Sequence, residues 1–564
     1  MRHVLKWALA LTPVLLVAAS AVSREPHRGP RTPFSIVDSV SAARIEADVR
    51  RLALHPDGTP RSRFTARPEY EAEAVAFADS VFRANLAPGD TVTQHRWRWV
   101  TGDGDTLRPA NLVGIHRGTH PGLGAYILCA HMDATGTRTA GWNRHTDPAP
   151  GADDNASGTA AVLEAVRVLG QESFDFDLYF VLFSGEELGL LGSIAFAESL
   201  AFADAPLYGV FNFDMISYRK EGEPLEIEAL PNRLSQWMTD LMARRQSEIG
   251  EEVTGIRFTP TPPRSLQNSD QAAFWRYGYD ALLLIEKVDA GAYNPNYHKI
   301  TDLPDGYETA LRYDQAAGIL KLVIGTLDGF RQAPQGVADF VVHPDQISFT
   351  VDGRRLEDLI VEPGQEVVIA TAALAQGASH DGAIWGFEFR SGSATLPVEA
   401  TTYIDYLPAG AVVRDSVVWV PDESDAGLHI ISARVREQGL TENDISDNIA
   451  ADTLLVRSAR LKVLEHFVYP NPVALSTAAG GLGGAHLRIV AGRPGRASVE
   501  IFDLSGRRLG RTAEEFDVAG AFVDVPLSSV VDEDRLAAGM YFYRVRVRAG
   551  GAEASEMGRF ALLR

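Results

Sequence analysis

Five short strings place histidine and acidic residues where an α/β sheet builds sites. His131-Met132-Asp133 follows the apolar run Ala125–Cys129. Asp153 and Asp154 lie in Pro150–Gly158, just ahead of a helical pattern. Glu186 and Glu187 follow the apolar run Leu178–Phe183, and Asp214 follows Leu207–Phe213. Tyr297-His298 precedes the turn Thr301-Asp302-Leu303-Pro304. Each string alone has a plain structural alternative. A His-x-Asp beside a strand arises by chance, and the paired acids suit a helix cap or a first helical turn. Together, two histidines and three or four carboxylates are the ligand set for a pair of zinc-like ions. One zinc needs only three protein ligands and an open position. Two ions about 3.5–4 Å apart need a shared carboxylate, and the surplus of acids fits that count. In such a centre Asp133 is placed to orient the His131 ring.

The elements that must position these residues form the first of three blocks, from about residue 30 to 335. Strands are expected at Ala110–His116, Ala125–Cys129, Leu178–Phe183, Leu207–Phe213 and Ala281–Ile285. Helices are expected at Pro68–Asn85, Gly158–Leu169 and from Glu187 to about Ala201. Strands separated by helices of this length predict an α/β fold, with a mixed, largely parallel central sheet covered on both faces. Residues 336–460 read instead as short strands between Gly, Pro, Asp and Ser turns, the pattern of an Ig-like β-sandwich. Residues 463–564 are a second all-β block, with a Gly-rich loop at Ala478–Gly484. The change of texture near Gly336 predicts an independently folded boundary that few contacts cross.

The strings AHMDATG, PGADDNASGTAAVLEA, FSGEELGLLGS, NFDMIS and YHKITDLPD, in this order, closely resemble the two-zinc aminopeptidases of peptidase family M28. The resemblance covers roughly residues 40–330. It implies a zinc-exopeptidase domain holding two Zn2+ ions. It gives His131 and Asp214 to one ion, Glu187 and His298 to the other, and Asp154 to both. It places a cis peptide at Asp154-Asn155, makes Asp133 the orienting partner of His131, and makes Glu186 the general base. Tyr297 resembles the tyrosine that steadies the tetrahedral intermediate in some members. Peptides are the implied substrates. The family also holds glutaminyl cyclases and carboxypeptidases, so those activities stay open alongside aminopeptidase. A non-catalytic surface-binding protein is a further alternative, although every expected ligand position is filled.

The remaining features bear on location and partners. The 564 residues carry 53 basic and 74 acidic side chains, a net charge of -21, which argues against nucleic acid as a partner. The single cysteine, Cys129, excludes an internal disulfide and reads as a small core residue. Residues 1–23 carry Arg2 and Lys6, a short apolar run and a small-residue end, as a signal peptide does. No other run is long enough to span a membrane, so a secreted or cell-surface bacterial protein is expected, with no transmembrane segment in the mature chain. In the last block, Phe467–Pro472, Val499–Arg507 and Leu536–Arg544 resemble the sorting domain of type IX secretion substrates, which implies the outer-membrane export machinery as a partner. His145 reads as a solvated loop residue, and Ser269-Asp270 resembles a family position near the pocket. The sequon at Asn155-Ala156-Ser157 is discounted because it falls in the expected active site.

Overall fold

The computed structural model describes residues 34–563 apart from 101–105, 265, 289–292, 306–310, 332–339, 344–345, 357–358, 376–379, 392–393, 397–401, 439–448, 459–460, 470, 472, 475–481, 483–484, 514, 519–521 and 533–535. The expected signal segment, the junction at Gly336, and all of the Gly-rich loop 478–484 except Leu482 lie outside the described residues.

In the first block the strands of the central sheet are β1 (Thr91–Arg96), β2 (Ala110–His116), β3 (Ala125–His131), β4 (Asp177–Phe183), β5 (Leu207–Phe213), β6 (Glu226–Pro231), β7 (Arg257–Phe258) and β8 (Ala281–Glu286). They form one sheet in the order β1-β2-β4-β3-β5-β8-β6-β7. The pairs β3–β4, β3–β5, β5–β8 and β6–β7 are parallel, and the others are antiparallel. Every residue of β2, β3 and β5 is buried, as expected of strands covered on both faces. Alternation along β3 divides it between two cores. Tyr126, Leu128 and Ala130 face the large core. Ala125, Ile127 and Cys129 face a smaller one, with Phe196, Leu200 and Phe274.

Helices α1 (Ala42–Ala53), α2 (Pro68–Asn85), α3 (Ala156–Leu169) and, after the sheet, α6 (Tyr313–Phe330) pack on the large-core face. Between them in sequence come α4 (Leu191–Phe202), on the opposite face, and α5 (Gln236–Ile249). Two helix starts differ from the sequence reading. The third helix begins at Ala156 because the Asn155 carboxamide caps it, accepting from the Gly158 amide at 2.9 Å. The fourth begins at Leu191, four residues later than expected. Glu186–Leu190 is a turn closed by Gly189 N–H and Leu190 N–H on the Glu186 carbonyl, so the paired glutamates precede the helix.

Several all-β sheets follow. A five-stranded sheet includes Ser348–Val351, Val367–Ala375 and Val412–Trp419. A six-stranded one includes His380–Ser391, Gly427–Gln438 and Ile449–Val456. The last block has a three-stranded sheet (Val463–Tyr469, His486–Ala491, Val523–Pro526) and a six-stranded sheet around Gly495–Phe502, Gly539–Ala549 and Ala552–Leu563.

The first junction differs from the expected sparse boundary. One continuous buried cluster runs from Ile36 in the first block to Val456 in the second. The Tyr126 ring stacks on Phe330, and its hydroxyl donates to the Gly410 carbonyl at 2.7 Å. Arg414 donates to the buried Asp280 carboxylate at 2.7 Å and to the Leu207 carbonyl at 3.0 Å. The third block keeps a core of its own, from Val468 to Leu562. Among the described residues, no helix is long and apolar enough to cross a membrane.

Candidate metal centre

Chain order explains where the site forms. The strand after β3 pairs on one side of it and the next strand on the other, so the loops at their carboxyl ends diverge and leave a crevice. His131 ends β3, Glu186 and Glu187 sit in the turn after β4, and Asp214 follows β5. Asp154 lies in the turn before α3, and His298 comes from the loop after β8.

The side chains converge as two groups. His131, Glu186 and Asp214 have ligand atoms within 4.8 Å of one another, and so do Asp154, Glu187 and His298. Asp154 links the groups. Its Oδ1 lies 3.5 Å from His131 Nε2 and its Oδ2 lies 3.2 Å from His298 Nε2. His131 Nε2 is also 3.4 Å from Asp214 Oδ1, and His298 Nε2 is 3.2 Å from Glu187 Oε2. Glu186 Oε2 stands further off, at 4.0 Å from His131 Nε2.

The donor set fits bound cations. Asp154 Oδ2, Glu187 Oε1 and Asp214 Oδ1 are buried without a hydrogen-bond partner. An orphaned buried carboxylate oxygen is costly unless a cation completes it. Burial pushes the Glu186 and Glu187 carboxyls well above their usual range; neighbouring acids, chiefly Asp154 on Glu187, add to the rise. Burial opposes charge on His131, yet Glu186 and Asp214 hold its pKa well above the ordinary imidazole value. Burial likewise pushes the Asp214 carboxyl up, but His131 and the Ser269 hydroxyl prevail and leave it lowered. Binding a divalent ion among these groups displaces the protons they hold.

A surrounding frame fixes the ligands. Asp302 accepts from the amides of Asp153 and Asp154, the latter at 3.0 Å. The Asp153 carboxylate accepts from Ser217 N–H at 2.9 Å and from the Asn294 carboxamide at 3.0 Å. The Asp154-Asn155 peptide is cis. Gly151, at φ 49°, lets the loop close against itself, since a Cβ there would meet the Asp154 carbonyl at 2.1 Å. Ser269 donates to Asp214 Oδ2 at 2.6 Å and accepts from Asn212 at 2.8 Å. Fully buried Arg63, lowered to about 10 by burial, donates to the carbonyls of Met132, Pro150 and Gly151 and so ties two ligand-bearing loops together.

Asp133 faces His131 and also holds the glutamate turn. Its carboxylate accepts from the amides of Glu186 (3.2 Å) and Glu187 (3.3 Å) and from the Thr65 hydroxyl (3.1 Å). His131 Nδ1 lies 3.2 Å from the Asp133 backbone carbonyl and 3.6 Å from the carboxylate. Asp133 therefore positions the glutamate turn with its side chain and meets the imidazole with both its backbone carbonyl and its carboxylate. Tyr297 packs against His298, with ring centroids 3.7 Å apart and planes tilted by 35°, and the Arg138 guanidinium lies over the Tyr297 ring, 4.4 Å from its centre. Burial raises its phenol. His145 is an exposed loop residue outside both groups. Asn155 is fully buried and spent on α3 and Phe213, as the discounted sequon requires.

Residues 111–321 match the model of Peptidase family M28. The chain carries an M28 peptidase domain. The M28 match, with its zinc metalloprotease and aminopeptidase relatives, supports a zinc metallopeptidase. A probable zinc metalloprotease of Pyrenophora tritici-repentis is 26% identical over 340 residues, spanning 53% of this chain and 68% of that protein. Aminopeptidase YwaD of Bacillus subtilis is 42% identical over 119 residues, spanning 20% of this chain and 23% of that one. The solved Legionella pneumophila LapA aminopeptidase covers 53% of this chain and 77% of its own, at 18% identity and a TM-score of 0.42.

The residues that the sequence reading did not single out are Arg63, Thr65, Glu286 and Asn294. Glu286 ends β8 just as His131 ends β3, so the strand-end rule had a signal for it. Arg63 and Thr65 sit in an irregular segment before α2, with no motif to mark them.

Proposed function

We propose that the protein is a secreted two-metal aminopeptidase that removes N-terminal residues from peptides. The observation that supports this reading best is Asp154, whose two oxygens reach toward one histidine of each group. In this reading His131 and Asp214 hold one ion, Glu187 and His298 the other, and Asp154 both. Bound zinc supplies Lewis-acid polarisation of the scissile carbonyl and acidifies water. Glu186, held by its amide on Asp133 and standing back from the ligand positions, takes the proton of the attacking water and returns it to the leaving amine. Tyr297, packed against His298, steadies the carbonyl oxygen as it gains charge. The negative field of Asp154, Asp214 and the paired glutamates favours a substrate's free α-amine, which measures the peptide from its N-terminus.

The two later blocks are assigned to delivery. The first all-β block reads as an Ig-like sandwich and the last as a sorting domain handed to the outer-membrane export machinery. Metal analysis with a panel of Leu-, Arg- and Gln-terminal peptides tests the activity. Two zinc ions per chain with release of free N-terminal residues is the expected result. Ring closure of Gln-terminal peptides, without release, would make it a glutaminyl cyclase instead.

A further inference from the structure

A cavity of about 390 Å³ lies between α1, α2 and the irregular segment that joins them, and none of the candidate metal ligands lines it. Its volume is in the range of small-molecule sites. Arg51, Arg61, Arg63 and Glu73 line it together with Leu52, Ala74 and Phe77, so it has a cationic side and an apolar side.

The cationic side is open to a ligand. Among the described residues no carboxylate pairs with Arg51, whose guanidinium lies 5.9 Å from the centre of the Phe77 ring. Arg61 spends Nε on the Leu54 carbonyl and Nη1 on Glu73, which leaves Nη2. Ser62, 4% exposed, also lines the cavity. The planar fork of arginine matches a carboxylate.

We propose that this cavity is a second binding site, for a small carboxylate with an apolar body. The carboxylate takes Arg51 and Arg61 Nη2, and the body lies against Leu52, Ala74 and Phe77. The site sits on the strap that frames the metal centre. Arg63 follows Ser62 and holds the carbonyls of Met132, Pro150 and Gly151, and Thr65 donates to Asp133.

The probe is 4-methylpentanoate, which has the carboxylate and the apolar body but no α-amine. Calorimetric titration into the full-length, metal-loaded protein should show one site. Arg51→Gln should weaken binding about tenfold, the loss of one charge-assisted bond. Ala76→Trp, on the exposed rim of the same cavity, should abolish binding. Both variants should keep wild-type zinc content and peptide hydrolysis. Inorganic phosphate should bind more weakly than the probe, because it leaves the apolar wall uncovered. Absence of probe binding overturns the proposal, as does binding that neither variant changes. Displacement of the probe by a substrate peptide would put it at the metal centre and also overturns it. The binding readout does not depend on which peptidase activity the centre performs.

Discussion

Two clusters of buried acids in the same domain are built in opposite ways. Glu164, fully buried on α3, accepts from Arg44 at 2.6 and 2.9 Å, from the Ser41 amide at 2.7 Å and from Arg167 at 3.4 Å. Arg167 in turn holds Asp48 at 2.6 Å, which joins α1 to α3. At the strand ends, Asp154, Glu187 and Asp214 each keep a buried oxygen with no hydrogen-bond partner and face chiefly the two histidines. Folding alone favours the first arrangement, since a buried polar oxygen left without a hydrogen bond is costly. The second persists only if something outside the chain completes it. Partnering, more than burial or charge, separates the acids that hold the fold from those that hold a ligand.

The largest break in that contrast should come from Asp154→Ala. This change removes the one carboxylate that, among the described residues, lies within 4 Å of both histidines, so zinc content should fall from two per chain to one or none, with loss of peptide hydrolysis. Retention of two tightly bound ions would move the shared position to Asp153. Glu186→Gln should leave both ions in place and lower kcat by roughly 10²–10⁴-fold, the usual worth of a general base. Metal analysis beside kinetics separates the two roles. A rate near wild type would remove Glu186 from the mechanism.

Glu164→Gln should do the reverse. It weakens a set of charge-assisted bonds and costs about 1.5–3 kcal/mol of stability. Zinc content and kcat should stay unchanged below the melting transition. Urea midpoints and metal analysis on one preparation check both halves. A loss of zinc would mean that α3 transmits strain to its own N-terminus at Asn155, next to Asp154.

How much of this was legible in the sequence depends on where each residue sits. The strands carrying His131, Glu187 and Asp214 were visible because a doubly covered strand is a continuous apolar run, and the chemistry follows its end. The start of α4 was misplaced because two acids before an apolar run look like a first helical turn. Only the Asp133 side chain, from another loop, shows that their amides are already taken. Arg63 and Thr65 were invisible because they act through bonds to distant backbone and side-chain groups, which no local pattern records. The junction was misread for a similar reason. Composition marks the change from α/β to β, but the partners Tyr126–Gly410 and Asp280–Arg414 lie 284 and 134 residues apart in the sequence.

The smallest expected effect lies in the last block, where a third acid cluster extends the partnered pattern. Glu500 accepts from Arg508 at 2.8 Å and from Arg544 at 2.5 Å, with Arg546 at 3.3 Å. Burial pushes its carboxyl up, but the hydrogen bonds from Arg508 and Arg544 and the field of the arginines prevail and lower it. A lowered carboxyl stabilises the fold while ionised. Its contribution is therefore complete above the unfolded value of about 4.3 and disappears as the pH falls through the folded value. Glu500→Gln should lower stability by about 1 kcal/mol or less at neutral pH, because these arginines are partly exposed and screened. The wild-type and variant melting curves should converge as the pH is taken below the ordinary carboxylate range. The change should touch only the transition of the last block, whose core from Val468 to Leu562 is separate from the one that runs through the peptidase domain. A variant that instead shifted the transition of the peptidase domain, or altered its zinc content, would show that the two cores melt as one unit and that partnering in the last block matters to the metal centre.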